Sequence, residues 1–205
     1  MSSNRFEATK ITRQFVFAAT VLLTLVRPGA AQERDFQLDP QQTLVKFTLS
    51  DVLHTVRGSF RLKQGALQLG PSGNVAGVIV VDAKSGESGN GIRDRKMHRE
   101  VLESDRYPEI SFRPDRVERS VATSGKSSVM IHGIFNIHGL DREISVPAQV
   151  EINADYWTAT VHFTIPYQKW GMKNPSTLFL RVSDTVEIDL VAAGGVATRD
   201  ANSLQ

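Results

Sequence analysis

Between Trp157 and Ile165 apolar and polar residues alternate without a break: Trp157, Ala159, Val161, Phe163 and Ile165 take the odd positions, with Thr158, Thr160, His162 and Thr164 between them. Successive side chains of a β-strand point to opposite faces, so this pattern predicts a strand with one buried and one wet face. The same period recurs at Val45, Phe47 and Leu49, and at Val186, Ile188 and Leu190. Further runs of strand character cover 56–63, 66–69, 75–82, 109–113, 129–137 and 144–152. Turn-forming clusters separate many of them, such as Gly70-Pro71-Ser72-Gly73-Asn74 and His138-Gly139-Leu140-Asp141. Eight or nine short strands with tight connections predict an all-β antiparallel sandwich or closed barrel. One stretch departs from the pattern: 92–104 carries Ile92, Met97, Val101 and Leu102 as a modest helical stripe, and Tyr107-Pro108 closes it off. Residues 194–205 have little to bury and read as a loose C-terminal tail.

The N-terminus has a different composition. Arg5, Lys10 and Arg13 precede the apolar run 15–26, which leads into Arg27-Pro28-Gly29-Ala30-Ala31. A basic start, about a dozen apolar residues and small residues before a polar one predict a secretory signal over 1–31, cleaved after Ala31; the run is shorter than the ~17–25 residues of a membrane span. The full chain carries 24 Lys plus Arg against 22 Asp plus Glu, a net charge of +2. Removing 1–31 takes away Arg5, Lys10, Arg13, Arg27 and Glu7, which leaves 20 basic and 21 acidic residues, a net of −1. Phosphate neutralisation needs a basic surface, so no nucleic-acid partner is expected. The chain has no cysteine, which excludes disulfides, thiolate metal sites, thiol catalysis and a lipid-modified N-terminal cysteine. The expected location is periplasmic or secreted, with no membrane span after cleavage.

Catalytic signals are sparse. The glycines around Ser88 do not have the spacing of a nucleophile elbow, and no Gly-Lys-Ser/Thr follows to cradle a phosphate. His54, His98, His132, His138 and His162 are scattered, without the close pairs of zinc enzymes. No catalytic or metal-ligating residue is therefore assigned. The cations Arg93, Arg95, Lys96 and Arg99, with Asp94 among them, read either as a solvated helix face with Arg93 and Asp94 tying helix to sheet, or as receivers of an anionic head group. Tyr167, Lys169 and Trp170 could line a pocket mouth or plug a corner.

The order of motifs FQLDPQQTLVKFTL, VRGSFRLKQGAL, GIRDRKMHREVLESDRYPEISF, VMIHGIFNIHGLDREISVPAQV, IPYQKWGMKNPS and VSDTVEIDLVA resembles the YceI-like family, over about residues 35–193. Its most specific parts are Arg93-Asp94 ahead of Tyr107-Pro108 and Phe112, and Gly133 ahead of the His138-Gly139 turn. The resemblance implies an eight-stranded antiparallel, lipocalin-like barrel with one short helix at one end, in a periplasmic protein that binds polyisoprenoids or other lipids. An eight-stranded barrel can be filled by side chains or hold one slender ligand.

Alternation assigns to the lumen Phe47 and Leu49, Phe60 and Leu62, Val78 and Val80, Ile110 and Phe112, Ile131 and Phe135, and Val161, Phe163 and Ile165. Arg93, Arg99, His54, Tyr167 and Trp170 are the candidates for the head group or the entrance. The expected function is non-enzymatic binding or carriage of a long apolar molecule, such as an isoprenoid quinone, polyprenyl lipid or fatty amide. No further cofactor is expected, and pairing of two copies is left open. The alternatives are a ligand-free envelope interaction module with a filled interior, and a hydrolase or isomerase using His54 or His98 beside a carboxylate. N-terminal sequencing of the exported protein is expected to begin at Gln32; a retained Phe15 would show an uncleaved anchor instead.

Overall fold

The computed structural model describes residues 32–50, 55–176 and 181–200. The signal expected over 1–31, His54 and residues 201–205 lie outside the described residues. The strands are β1 (Gln32–Leu38), β2 (Leu44–Ser50), β3 (Thr55–Leu69), β4 (Val75–Glu87), β5 (Glu109–Glu118), β6 (Gly125–Ile137), β7 (Leu140–Asn153), β8 (Tyr156–Ile165) and β9 (Val186–Asp200). From β3 to β9 each strand pairs with the next in sequence, all antiparallel. Both β1 and β2 bond to β3 on one side and β9 on the other, β2 to the early part of β3 and β1 to its late part. They are the two halves of one stave. The nine strands therefore make a closed eight-stave barrel.

The break in that stave is a local one. The Asp39 carboxylate accepts hydrogen bonds from the Gln41 backbone N–H (2.8 Å) and the Gln42 side-chain amide (2.6 Å), and the Thr43 N–H donates to the Asp39 carbonyl (2.9 Å). Asp followed by Pro40 is a turn-forming pair. Beyond the break, β9 runs so close to β1 that a Cβ at Gly194 would sit 1.9 Å from the Gln37 carbonyl oxygen. The expected tail is corrected here: residues 194–200 are the second half of β9, paired with β1 from Gln32↔Asp200 to Leu38↔Gly194. Strand partners, rather than apolar content, hold this segment. The two runs at 56–63 and 66–69 are likewise one strand, bent by register shifts between Ser59 and Arg61 and between Leu62 and Gln64.

The barrel end formed by β1, the β7–β8 hairpin and the end of β9 is closed by packed side chains. Phe36 meets Trp157 edge-on at 5.2 Å, the Trp157 indole N–H donates to the Gln37 carbonyl (3.3 Å), and Leu38, Leu69 and Ile152 pack around them. Full burial of each such side chain contributes about 1.5–3 kcal/mol. The Arg34 guanidinium donates to the carbonyls of Val121 (2.6 Å) and Ala122 (2.7 Å), tying the β5–β6 loop across this end.

Among the described residues one helical segment is present, and it lies at the other end. Helix α1 (Gly91–Lys96) begins at Asn90, whose side chain accepts from the N–H groups of Ile92 and Arg93 (3.1 Å each), and it widens into a π-helical turn over Met97–Val101. The helix predicted over 92–104 is thus shorter and changes pitch halfway. Arg93 and Asp94 tie it to the end of β4. Arg93 Nε donates to the Ser88 hydroxyl and its Nη2 to the Ser88 carbonyl (2.7 Å each), while Asp94 accepts from the Ser88 N–H (3.0 Å) and hydroxyl. His98 adds a second tie: its Nε2 donates to the Gly86 carbonyl (2.8 Å), which leaves Nδ1 to accept from the Ser104 hydroxyl (3.0 Å).

Gly58 pairs with Phe47 across β2 and β3, and a Cβ there would lie 2.3 Å from both the Phe47 ring and the Glu87 carbonyl oxygen. Because one obstacle is backbone, the clash cannot be relieved by a rotamer change. Gly58→Ala is expected to destabilise the fold by about 1–3 kcal/mol in urea melts; a loss below about 0.5 kcal/mol would show that the strands accommodate the methyl.

Candidate functional site

Between the closed end and the helix the barrel is hollow. A cavity of about 500 Å³ opens beside α1. Its walls come from the inward faces of β2 (Val45, Phe47, Leu49), β3 (Val56, Phe60), β4 (Val81), β5 (Ile110), β6 (Phe135, Ile137), β8 (Ile165) and β9 (Val186, Ile188). Met97, Val101 and Leu102 from the helical segment and Met172, Pro175 and Val182 from the neighbouring loops complete it. The polar lining residues are Ser88, Asn90, Arg93, Lys96 and Tyr167. All five belong to the helix and loop end, so the site is an apolar shaft with a polar rim. Its edge carries Ile92, an apolar side chain left 76% exposed.

A second, smaller cavity of about 130 Å³ lies deeper, toward Phe36 and Trp157. Every residue lining it is apolar, among them Phe112, Ile131, Val161 and Phe163.

The rim is held by specific bonds. Lys96 Nζ donates to the Pro175 carbonyl (2.8 Å), and Lys173 Nζ pairs with the Glu100 carboxylate (2.9 Å), so two contacts strap the helix to the 166–176 loop. The Lys173 hydrogen bond holds the Glu100 carboxyl below its ordinary pKa. Across the opening, the buried Tyr167 hydroxyl donates to the Ser183 carbonyl at 2.5 Å, joining that loop to the segment leading into β9. Desolvation, with a smaller contribution from Asp184, pushes the phenol pKa up to about 12.

Of the residues predicted for the lumen, Phe47, Leu49, Phe60, Ile110 and Ile165 line the larger cavity; Phe112, Ile131, Val161 and Phe163 line the smaller, and Phe135 lines both. Leu62 is buried in the packed core and lines neither. Val78 and Val80 are corrections. Ile79 and Val81 pair with Phe112 and Ile110, whose side chains point inward, whereas Val80 pairs with Ser111 on the outer face. The run Val78-Ile79-Val80-Val81 is apolar at both parities, so alternation had no polar residue by which to choose. Of the rim candidates, Arg93 and Tyr167 line the cavity. Arg99 is corrected: its side chain is 79% exposed, pairs with Glu100 and does not line the opening. Trp170 packs on Phe135 at 6.0 Å from outside the lining, which makes it a plug rather than a gatepost. Lys96, Met97 and Met172 were not assigned to the site, although Lys96 and Met97 stood in the basic cluster and the helical stripe.

None of the described histidines that approach carboxylates lines either cavity. His162 Nδ1 is 2.7 Å from Asp189 on the exposed face of β8 and β9, and His138 Nε2 is 3.3 Å from Glu103. His132 accepts or donates a 2.7 Å bond with the Ser145 hydroxyl, and its Nε2 lies 3.1 Å from Glu118 without hydrogen-bonding geometry. That Ser–His–Glu row lies on the outer surface of β5, β6 and β7, with neither cavity beside it. General acid–base chemistry needs a base within reach of a bound substrate. Among the described residues no three His, Asp or Glu side chains gather in a metal-binding group, and no helix is long and apolar enough to cross a membrane.

The sequence matches the YceI-like domain over residues 36–193. A search of curated proteins finds no match. Solved structures with this fold include a polyisoprenoid binding domain from Saccharophagus degradans implicated in plant cell wall breakdown, 18% identical, with a TM-score of 0.61 over 77% of this chain and 95% of that one. Burkholderia cenocepacia BcnA is 16% identical, with a TM-score of 0.63 over 77% of this chain and 99% of its own. The Campylobacter jejuni YCEI protein is 14% identical, with a TM-score of 0.57 over 70% and 86%.

The Tyr167 bond makes a pH-dependent statement. The phenol ionises near its ordinary value of 10 when unfolded and near 12 when folded. The unfolded chain therefore loses its proton first as pH rises, and stability from this group, complete below pH ~10, falls away toward pH ~12. Thermal melts are expected to show a steeper decline over that window in the native protein than in Tyr167→Phe, which should also be less stable at neutral pH by about 0.5–1.5 kcal/mol. Identical alkaline slopes would remove Tyr167 from this role.

Proposed function

The chain belongs to the family of YceI-like domains, and from that footing we propose that it binds and carries a long, slender apolar molecule of the polyisoprenoid or isoprenoid-quinone class in its barrel, in the periplasm. The observation that carries this reading is the 500 Å³ shaft, apolar along its length and polar only at its open end. Ligand sites typically combine an apolar wall with a few polar groups that fix orientation. Moving apolar surface from water into such a shaft is favourable by about 25 cal/mol per Å², before the losses of freedom on association are subtracted.

The tail of the ligand lies along Phe47, Phe60 and Ile165, and its head reaches the rim at Ser88, Asn90, Arg93 and Lys96. The relative described as a polyisoprenoid binding domain supports this choice of ligand class, and the basic and apolar composition of residues 1–31 supports export. A ligand-free interaction module would be expected to fill its interior with side chains, and the cavity favours binding over that alternative. None of the described histidines lines either cavity, which favours binding over hydrolysis as well.

Organic extraction of the purified protein followed by mass spectrometry is expected to recover a long-chain lipid in near-stoichiometric amount. Recovery of none, together with no uptake of added isoprenoid quinone, would end the proposal. For the head group, Arg93→Ala is expected to weaken an anionic ligand roughly threefold to tenfold relative to a neutral one of the same tail, as fits a partly exposed charge contact. Arg99→Ala, which lies off the rim, should leave both unchanged; equal losses for both ligands in Arg93→Ala would assign that residue to holding Ser88 alone.

A further inference from the structure

The two cavities lie end to end inside one barrel, and among the described residues a single side chain lines both: Phe135. It sits on the inward face of β6 between Gly133 and Ile137 and is 7% exposed. Its ring meets Phe163 of β8 edge-on at 6.0 Å and Trp170 at 6.0 Å, so it is braced from the stave next but one and from the rim loop. Phe135 is therefore part of what separates the upper shaft from the lower void, together with Leu62 of β3, which lies between the levels of Phe60 and Leu67 and lines neither cavity. Protein interiors are ordinarily packed with few voids larger than a water molecule, and an apolar void of this kind stays dry and available to an apolar guest. We infer that Phe135 is the floor of the binding shaft and sets the length of apolar chain the barrel accepts, and that the 130 Å³ beneath it is the continuation of the shaft which this residue closes.

The inference rests on the proposed function and makes a separate claim about it. A tail entering from the rim gains contact with each added carbon until it meets the ring, and carbons beyond that point stay outside in water. Affinity should then climb with chain length and level off. Removing the ring should move the levelling point to longer chains, because the lower void becomes accessible.

The test uses the protein with a series of linear alkanoic acids that lengthen in two-carbon steps, followed by calorimetry. Native protein is expected to show a rise and a plateau. In Phe135→Ala the plateau should begin at least one two-carbon step later, with the first newly accommodated acid gaining roughly tenfold in affinity over the native value. Adding Ala159→Phe, which refills the lower void from β8, should return the plateau to shorter chains. Phe135→Leu keeps more of the packing and gives the same reading where the alanine variant does not fold. A folded Phe135 variant whose plateau stays at the native length overturns the inference and leaves the proposed function standing. Native protein that binds no alkanoic acid of any length, and no isoprenoid quinone, overturns both.

Discussion

Closure of the sheet through its first stave is the constraint on which everything else depends. β1 and β2 are seven residues each, and neither alone would span the barrel, yet each bonds to β3 on one side and β9 on the other. A closed sheet has no unpaired edge, so the stave position has to be filled along its length. The chain fills it with two strands and lets the Asp39–Thr43 turn absorb the mismatch. Gly58 and Gly194 belong to the same solution, since each lies where a neighbouring group comes within reach of a missing Cβ.

Once the sheet is closed, alternation acquires a consequence that it lacks in an open sheet: every second side chain of every stave points into one common volume. Whether that volume is packed or hollow then depends on side-chain size at each level. Near the β7–β8 hairpin, Phe36, Trp157, Leu69 and Ile152 pack together and leave the smaller cavity of about 130 Å³ beside them. Toward the helix, the space between the inward residues is covered by Met97, Val101 and Leu102 together with Met172, Pro175 and Val182 of the loops. The helical segment is too short to be stable by itself. It owes its position to Ser88, Gly86 and Pro175, all of which it grips through side chains. The polar groups of the rim therefore both shape the opening and hold its cover in place.

The strictly alternating strands were legible in full. Trp157 to Ile165 has the predicted inward and outward faces, as do the inner residues of β2, β5 and β6, because one polar face leaves a single way to bury the other. β4 was not legible, since Val78 to Val81 offer apolar side chains to both faces and only the pairing with β5 decides between them. The end of β9 was missed because its hydrogen bonds are backbone bonds to β1, for which residues 194–200 need no apolar pattern. The rim divided in another way: Arg93 and Arg99 belong to one basic cluster, but six residues at about 100° each set them on different sides of the helical segment, and only Arg93 lines the opening.

By itself the sequence determined the all-β class and most of the inward face, because these follow from local periodicity and from turns a few residues long. It also determined that the site is apolar, through the composition of that face. Tertiary structure alone decided that the barrel is open at one end and closed at the other, which cations reach the opening, and that Phe135 lines both cavities. The physical reason is that a cavity is a difference between an enclosed volume and the side chains that enter it. The enclosed volume is set by register and stagger around all eight staves, and no single strand carries that information.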